Sequence, residues 1–523
     1  MKSALWKTYV GGVAAAIFCV ATCAQSFAGD ARSVEDMEKE LKALKNEVST
    51  LKDEMKTAAQ AEQALKAEDI AGNVYSEFAK KVKLGGQIRT RAEYASGLYQ
   101  TPASNATLPG ATGITTRRES TDDDYVLNQT RLWADADVNE HLRVFIQLQD
   151  ARTFGAAGTT VGYANAYAEN SIFDLHQGYF DLKKLFDLPL TVRVGRQEII
   201  WGDHRVIGNF VWSNVGRVFD AGRFMWDTDA IHAEVFAAKV DEDGYLLSSG
   251  TNDSGGSDEN IYAAQLAFKK LVPGALLELM YIQKNDQDDT ATGATLAATA
   301  NQAAAGDPVV IHDFGVRIDG KLPNLDAVDY TIESHGQVGD YGTQDQEAWA
   351  FAGKVGYTFK EVAWKPRIGF EYDFASGDDD IDDNDHETFD NLYPTNHWQG
   401  IYGFADLVSW QNMHDFRGQF KVAPTSKMTV QVDYHWFVLD EEEDGWYLAN
   451  ASLATGAATN RSLYDTDDDD LAQEVDLTIS YDLYKNVKIL AGYSFFGAED
   501  WIDNNIGDDL DTHWGYLQTT VTF

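Results

Sequence analysis

The chain has 523 residues, with 83 Asp and Glu against 42 Lys and Arg and a formal net charge of −41. That balance excludes a nucleic-acid partner, whose phosphates would be repelled, but it leaves room for a locally basic channel. Both cysteines, Cys19 and Cys23, lie near the N-terminus, so the rest of the chain has neither a disulfide staple nor a thiolate metal site.

Residues 1–28 read as a signal peptide. Lys2 and Lys7 supply a positive start, Val10 to Ala24 an apolar run, and Ser26-Phe27-Ala28 a cleavage site, so the mature chain is expected to begin at Gly29. No later stretch has about 18 consecutive apolar residues, which excludes a transmembrane helix. It does not exclude a membrane β-barrel, whose strands are amphipathic and individually weak signals. The content of 13 Trp, 24 Tyr, 26 Phe and 43 Gly, with only 9 Pro, fits that class.

Residues 33–68 carry a heptad seam. Val34, Leu41, Val48 and Met55 fall at a, and Met37, Leu44, Leu51, Ala58 and Leu65 at d, until Glu62 takes an a position. The pattern predicts a short periplasmic coiled coil through which the protein forms a homo-oligomer, or else a single amphipathic helix on another surface. Residues 69–80 read as a linker.

From Lys81 the period becomes two. Val82, Leu84, Ile88 and Tyr94 share one face, and Lys83, Gln87, Arg89, Arg91 and Glu93 the other. A soluble sandwich would bury the apolar face against a second sheet; a barrel turns it to lipid and keeps the polar face in a wet lumen. Eighteen such runs follow: 81–94, 127–138, 141–151, 173–183, 189–199, 217–227, 230–240, 260–270, 274–285, 311–321, 326–338, 347–360, 363–375, 414–422, 427–440, 471–484, 487–498 and 511–523. Short turns, such as Asn139-Glu140 and Lys485-Asn486, alternate with long segments such as 95–126, 241–259, 286–310, 376–413 and 441–470. Alternating short periplasmic turns and long outer loops, with an even strand number, predict an all-β, 18-stranded antiparallel transmembrane β-barrel in a bacterial outer membrane. The last strand places Leu517, Thr519, Val521 and the terminal Phe523 on one face.

Acid is concentrated in the long loops: Asp122 to Asp124, Asp286 with Asp288 and Asp289, Asp378 to Asp385, Asp440 to Asp444, and Asp467 to Asp470. Solvated loops are one reading. Ca²⁺ or Mg²⁺ on oxygen ligands, bridging to lipopolysaccharide, is the other, although no run follows EF-hand spacing.

Arginines instead fall within strands. Arg89, Arg91, Arg131, Arg143, Arg193, Arg317, Arg367 and Arg417 take the polar phase. A charge at the lipid midplane costs about 2–4 kcal/mol, which assigns these side chains to the lumen. Their planar forks suit carboxylates. The densest stretch, Thr191 to Asp227, holds Arg193, Arg196, Arg205, Arg217 and Arg223 with His204. Gly195 marks a bulge that would re-aim Arg196 inward. Asp135, Asp137, Glu371 and Asp373 are expected to pair with some of the arginines. The competing reading makes all of them ion pairs that prop the barrel.

Two blocks resemble the alginate export family of outer-membrane barrels: VRVGRQEIIWGDHRVIGNFVWSNVGRVFDAGR at 192–223, and EYDFASGD at 371–378 with FDNLYPTNHWQGIYGFADLVSWQNM at 389–413. The resemblance implies a monomeric eighteen-stranded barrel with an electropositive constriction that passes a uronate polymer outward. It makes Arg193, Arg196, Arg205, Arg217 and Arg223 candidates for its lining. His176, His204, His232, His312, His335 and His435 come without a nucleophile elbow or HExxH motif, so no enzyme is expected. The expected function is an outer-membrane channel for anionic solutes or acidic polysaccharide; the alternative is a general porin with an oligomerising coiled coil. Outer-membrane lipid and lipopolysaccharide are the expected surroundings.

Overall fold

The computed structural model describes residues 80–99, 120–155, 170–242, 258–286, 308–381, 383–395, 397–449, 467–505 and 511–523, with scattered positions between 39 and 56 and at 451, 453 and 454. The chain divides into two units, Met1–Lys80 and Lys81–Phe523. In the first, residues 45–53 are helical. The expected signal peptide, the remainder of the heptad seam and nearly all of the expected linker lie outside the described residues.

The second unit is a closed barrel. Its first nine strands are β1 (Val82–Tyr99), β2 (Ser120–Asp137), β3 (Leu142–Phe154), β4 (Asn170–Leu182), β5 (Leu190–Gln197), β6 (Phe219–Asp227), β7 (Ile231–Glu242), β8 (Asp258–Val272) and β9 (Ala275–Asp286). Then come β10 (Val309–Leu322), β11 (Leu325–Tyr341), β12 (Gln344–Thr358), β13 (Arg367–Ala375), β15 (Met413–Thr425), β16 (Met428–Val438), β17 (Asp470–Tyr484), β18 (Val487–Ala498) and β19 (Thr512–Thr522). These eighteen pair antiparallel with their neighbours, and β1 pairs with both β2 and β19, so the ring has no free edge. Closure satisfies the backbone groups that lipid cannot. The two-residue β14 (Asp385–His386) lies parallel beside β12 and is not part of the ring. Phe523 exchanges two backbone hydrogen bonds with Gly86, which ties the C-terminus to β1.

Alternation decides the faces. Leu84 is 79% exposed, Phe314 57% and Ile368 54%, while their strand neighbours Arg89, Asp313 and Glu371 are buried. A sheet with exposed apolar side chains outside and buried charge inside is a barrel for lipid.

Several strand boundaries depart from expectation, most of all the start of β2, at Ser120 rather than at 127. β13 begins at Arg367 rather than at 363, because Trp364 and Lys365 take left-handed backbone conformations (φ 67° and 46°) ahead of Pro366. They form a turn, closed by the Phe359 amide donating to Pro366 O at 2.8 Å. β11 and β12 run on until only Gly342 and Thr343 join them, so this connection, at the end carrying the long loops, is itself short.

Candidate functional site in the lumen

Three connections fold inward instead of standing out as loops: 198–218 after β5, 376–412 after β13, and the start of 439–469 after β16. In the first, Gly202 (φ 49°) and His204 (φ 64°) turn the chain, so that the Trp201 amide donates to Ile207 O at 3.1 Å. The returning arm then meets the second connection, with one parallel bridge between Ile207 and Tyr393. Gly208 N–H donates to Tyr393 O (2.8 Å), Tyr393 N–H to Val206 O (2.9 Å) and Thr395 N–H to His204 O (2.9 Å). Trp446 on the third segment donates its indole N–H to Leu407 O at 2.7 Å.

These segments form a plug with its own apolar core. Ile199, Trp201, Val206, Ile207, Phe389, Tyr402, Trp410 and Trp446 are buried against Phe236, Ile261, Ile282, Ala350, Phe437 and Phe496 of the strands. The lumen face is therefore not uniformly polar, contrary to expectation. Along β7 it reads Glu234, then Phe236 and Ala238; along β16 it reads Asp433 and His435, then Phe437. On these two strands charge occupies the inner and middle levels, and apolar side chains the outer one.

At the middle level the lumenal arginines are buried and held in two ways. On the β1–β2 wall, Arg89 donates to Val211 O and Ser213 O, both at 2.7 Å. Arg91 donates to Trp212 O (2.9 Å) and to Glu93, and lies 3.9 Å from the Trp212 ring centroid. Arg131 meets Val215 O, Gln149 and, at 3.3 Å, Glu198. Three guanidiniums here face two carboxylates, Glu93 and Glu198.

The β10–β16 wall is different. Arg205, on the plug, reaches Glu371 (2.5 Å), Asp373 (2.7 Å) and the Tyr402 hydroxyl. Arg317 binds Glu278 (2.5 Å) and Asp203 (2.8 Å), with Glu333 at 3.5 Å. Arg417 spans Glu371 (2.9 Å), Asp433 (2.7 Å) and Gln399 O. Lys354 completes the set with Asp203 at 3.0 Å. Four cations here meet six carboxylates.

At the inner level Arg143 holds Asp135 and Asp181, Arg193 holds Asp181, Arg223 holds Glu234, and Arg367 holds Asp329. Arg217 donates to Pro394 O within the plug at 2.7 Å. Of the four carboxylates expected to pair with arginine, Asp135, Glu371 and Asp373 do so, whereas Asp137 takes Lys183 at 2.8 Å.

Arg196 does not turn inward. Gly195 has φ +126°, yet pairing runs through it in register, Tyr179 to Gly195 and Gly195 to Ala221. The glycine permits close approach, since a Cβ there would overlap Gly178 O; it inserts no extra residue. Arg196 therefore keeps the outward phase of Val194 and forms two bonds to Asp220, at 2.7 and 3.0 Å. The acidic runs are also not simply solvated loops. Asp378 and Asp444 are buried in the plug, where Asp444 accepts from Thr388 and Tyr447 at 2.7 Å. Among the described residues no three His, Cys, Asp or Glu side chains converge as a metal site.

Two groups of the 198–218 connection titrate far from their ordinary range. Burial would raise the Asp203 carboxyl, but Lys354, Arg317 and Arg205 outweigh it and hold it at about 2. Burial drives His204 down to about 4, only partly offset by Asp203. The partners that sequence reasoning missed are backbone carbonyls, which leave no mark in residue identity. It also missed Trp212, which stacks on His397 with ring centroids 3.9 Å apart.

A family model described as alginate export matches residues 82–515. No curated protein gives a significant match. The crystal structures of OccK9 (OpdG) and OccK7 (OpdD) from Pseudomonas aeruginosa superpose with TM-scores of 0.52 and 0.50 at 10% and 11% identity. They cover 85% and 84% of this chain and 99% and 98% of their own. At that identity the likeness is one of fold.

Proposed function

This chain belongs to the alginate export family and is an outer-membrane β-barrel channel, and from that premise we propose that it passes anionic solutes or acidic polysaccharide of the alginate kind along the β1–β2 wall. The observation that carries the proposal is Arg89. Both of its bonds end on neutral carbonyls of the plug, so its charge is held in place without being cancelled. A carboxylate is a stronger acceptor for guanidinium than a peptide carbonyl, and can take over those bonds when the plug segment shifts. Arg91 and Arg131 extend the site, and Arg143, Arg193, Arg223 and Arg367 continue it at the inner level, each already facing a carboxylate that limits how tightly a substrate sticks. Several weak sites in series let an anion enter and also leave.

The test is a reversal potential in planar bilayers under a salt gradient. Anions are expected to pass in preference to cations, and R89E/R91E to abolish or reverse that preference. Selectivity unchanged by the double substitution would overturn the proposal. Liposome swelling with uncharged, acidic and basic sugars should rank the acidic sugar first.

A second reading, a general porin with an oligomerising N-terminal segment, draws on the β10–β16 wall, where arginines serve as props among more numerous carboxylates. It also draws on Val48 and Leu51 of the heptad seam, which are 51% and 46% exposed on their helix. Deleting 33–68 should leave conductance intact and change oligomer size on native gels; identical migration would remove the coiled-coil role.

A further inference from the structure

The lipid-facing surface repeats one arrangement three times. Tyr281 on β9 bonds His312 on β10, Tyr372 on β13 bonds His414 on β15, and Tyr493 on β18 bonds His513 on β19. The hydroxyl-to-Nδ1 distances are 2.9, 2.9 and 2.7 Å. Ring centroids lie 6.2, 6.1 and 6.1 Å apart, with interplanar angles of 21°, 22° and 31°. The register is the same each time. Tyr281 stands opposite Phe314, Tyr372 opposite Phe416 and Tyr493 opposite Gly515, so each tyrosine reaches diagonally to the histidine two residues before its partner.

Phase and height place the pairs. Strand neighbours Asp313, Asp415 and Thr512 are buried in the lumen, so the histidines point outward. Each lies within four residues of the start of a strand that descends from a long connection. That is the level where outer-leaflet headgroups meet the barrel, and where tyrosine puts an apolar body and a wet tip. With the hydroxyl donating to Nδ1, the imidazole is left with its N–H at Nε2. His414 spends that group on Asp440 Oδ1 at 3.2 Å. Nearby, Tyr434 ends on Gln473 and Trp436 on Asp470. Among the described residues, His312 and His513 show a partner at Nδ1 and none at Nε2.

We infer that His312 and His513, oriented by Tyr281 and Tyr493, are hydrogen-bond donors to the phosphate groups of the outer-leaflet glycolipid. The site is a relay of phenol to imidazole to phosphate oxygen, repeated around the ring, and it stands independently of what the lumen carries.

The full chain, purified in detergent, would be incubated with bisphosphorylated lipid A or with phosphatidylglycerol, and the retained lipid counted by native mass spectrometry. H312F/H513F is expected to hold about five-fold less lipid A than the parent, the loss of two modest hydrogen bonds. H414F should hold as much as the parent, because its donor is already engaged. H312Q/H513Q restores an N–H donor and should recover most of the retention. Heat-dependent gel mobility verifies that each barrel is folded. Lipid A retention unchanged in H312F/H513F, an equal loss in H414F, or an equal loss of phosphatidylglycerol would overturn the assignment.

Discussion

Arg89 and Arg205 differ by one choice of acceptor. Arg89, on the β1–β2 wall, ends on two peptide carbonyls of the plug. Arg205, on the plug, ends on two carboxylates of β13. A carbonyl orients a guanidinium and leaves its charge standing; a carboxylate orients and neutralises it. The barrel thus attaches one segment, 198–218, to opposite walls by two chemistries. On the proposed reading, one attachment keeps a positive field in the lumen, and the other spends its field on holding the plug. Counting lumenal arginines therefore says little about selectivity until each one's acceptor is known.

The sharpest way to break this comparison is R205M. It leaves Glu371 and Asp373 buried without that cation, a loss of about 3–5 kcal/mol in the hold on the plug. Single-channel conductance should rise and protease should cut within 198–218, while the ratio of anion to cation permeability moves little. R89Q should behave in the opposite way. Stranding two carbonyls weakens the plug by about 1–3 kcal/mol, a smaller effect on conductance, but the anion preference should fall. If both variants changed selectivity alike, the two walls would not be doing different work.

Acid offers a graded version of the same test. His204 is held at about 4 by burial, against about 6.5 for a free imidazole. A base depressed in the packed state binds a proton better once released. The hold on the plug is then complete above pH 6.5 and weakens as pH falls towards 4, by about 3 kcal/mol at most. Asp203, held at about 2, loses its contribution only below about 3.8 and is silent in that window. Glu441 is pushed up to about 7 by burial and then by Asp440 and Asp379. Its contribution is lost as pH rises from about 4.5 to 7, the opposite sense. The His204 contribution is therefore the difference between wild type and H204N in acid-induced proteolysis of 198–218. No difference between the two would mean that His204 is not buried in the plug.

The barrel was legible in the sequence because period two is a local signal. Leu84, Ile88 and Tyr94 declare a face without help from any distant residue. The plug was not legible in the same way. Ile199, Trp201 and Val206 sit in a stretch without period, and they are buried only because Phe389, Tyr393 and Trp410 arrive from nearly two hundred residues away. Phase correctly sent Arg89, Arg131 and Arg317 inward, yet it could not say that Arg89 would meet carbonyl oxygen and Arg317 carboxylate. Asp444 departs from expectation for the reverse reason: a charge run looks solvated until the hydroxyls that bury it, here on Thr388 and Tyr447, are in place.

Arg196 gives the mildest test. It lies next to Gln197 in sequence, and Gln197 is fully buried in the lumen, but it faces outward with Asp220 near the outer end of β5. An exposed pair of this kind contributes roughly 0–1 kcal/mol, and near the interface a lone charge costs little. R196E should therefore leave reversal potential and conductance where they were, with at most a small drop in melting temperature from its repulsion with Asp220. R193E, three residues away and pointing inward beside Asp181, should shift the reversal potential towards cations. If R196E shifted it as far as R193E, Arg196 would have to share the lumen, and the continuous register through Gly195 would be wrong.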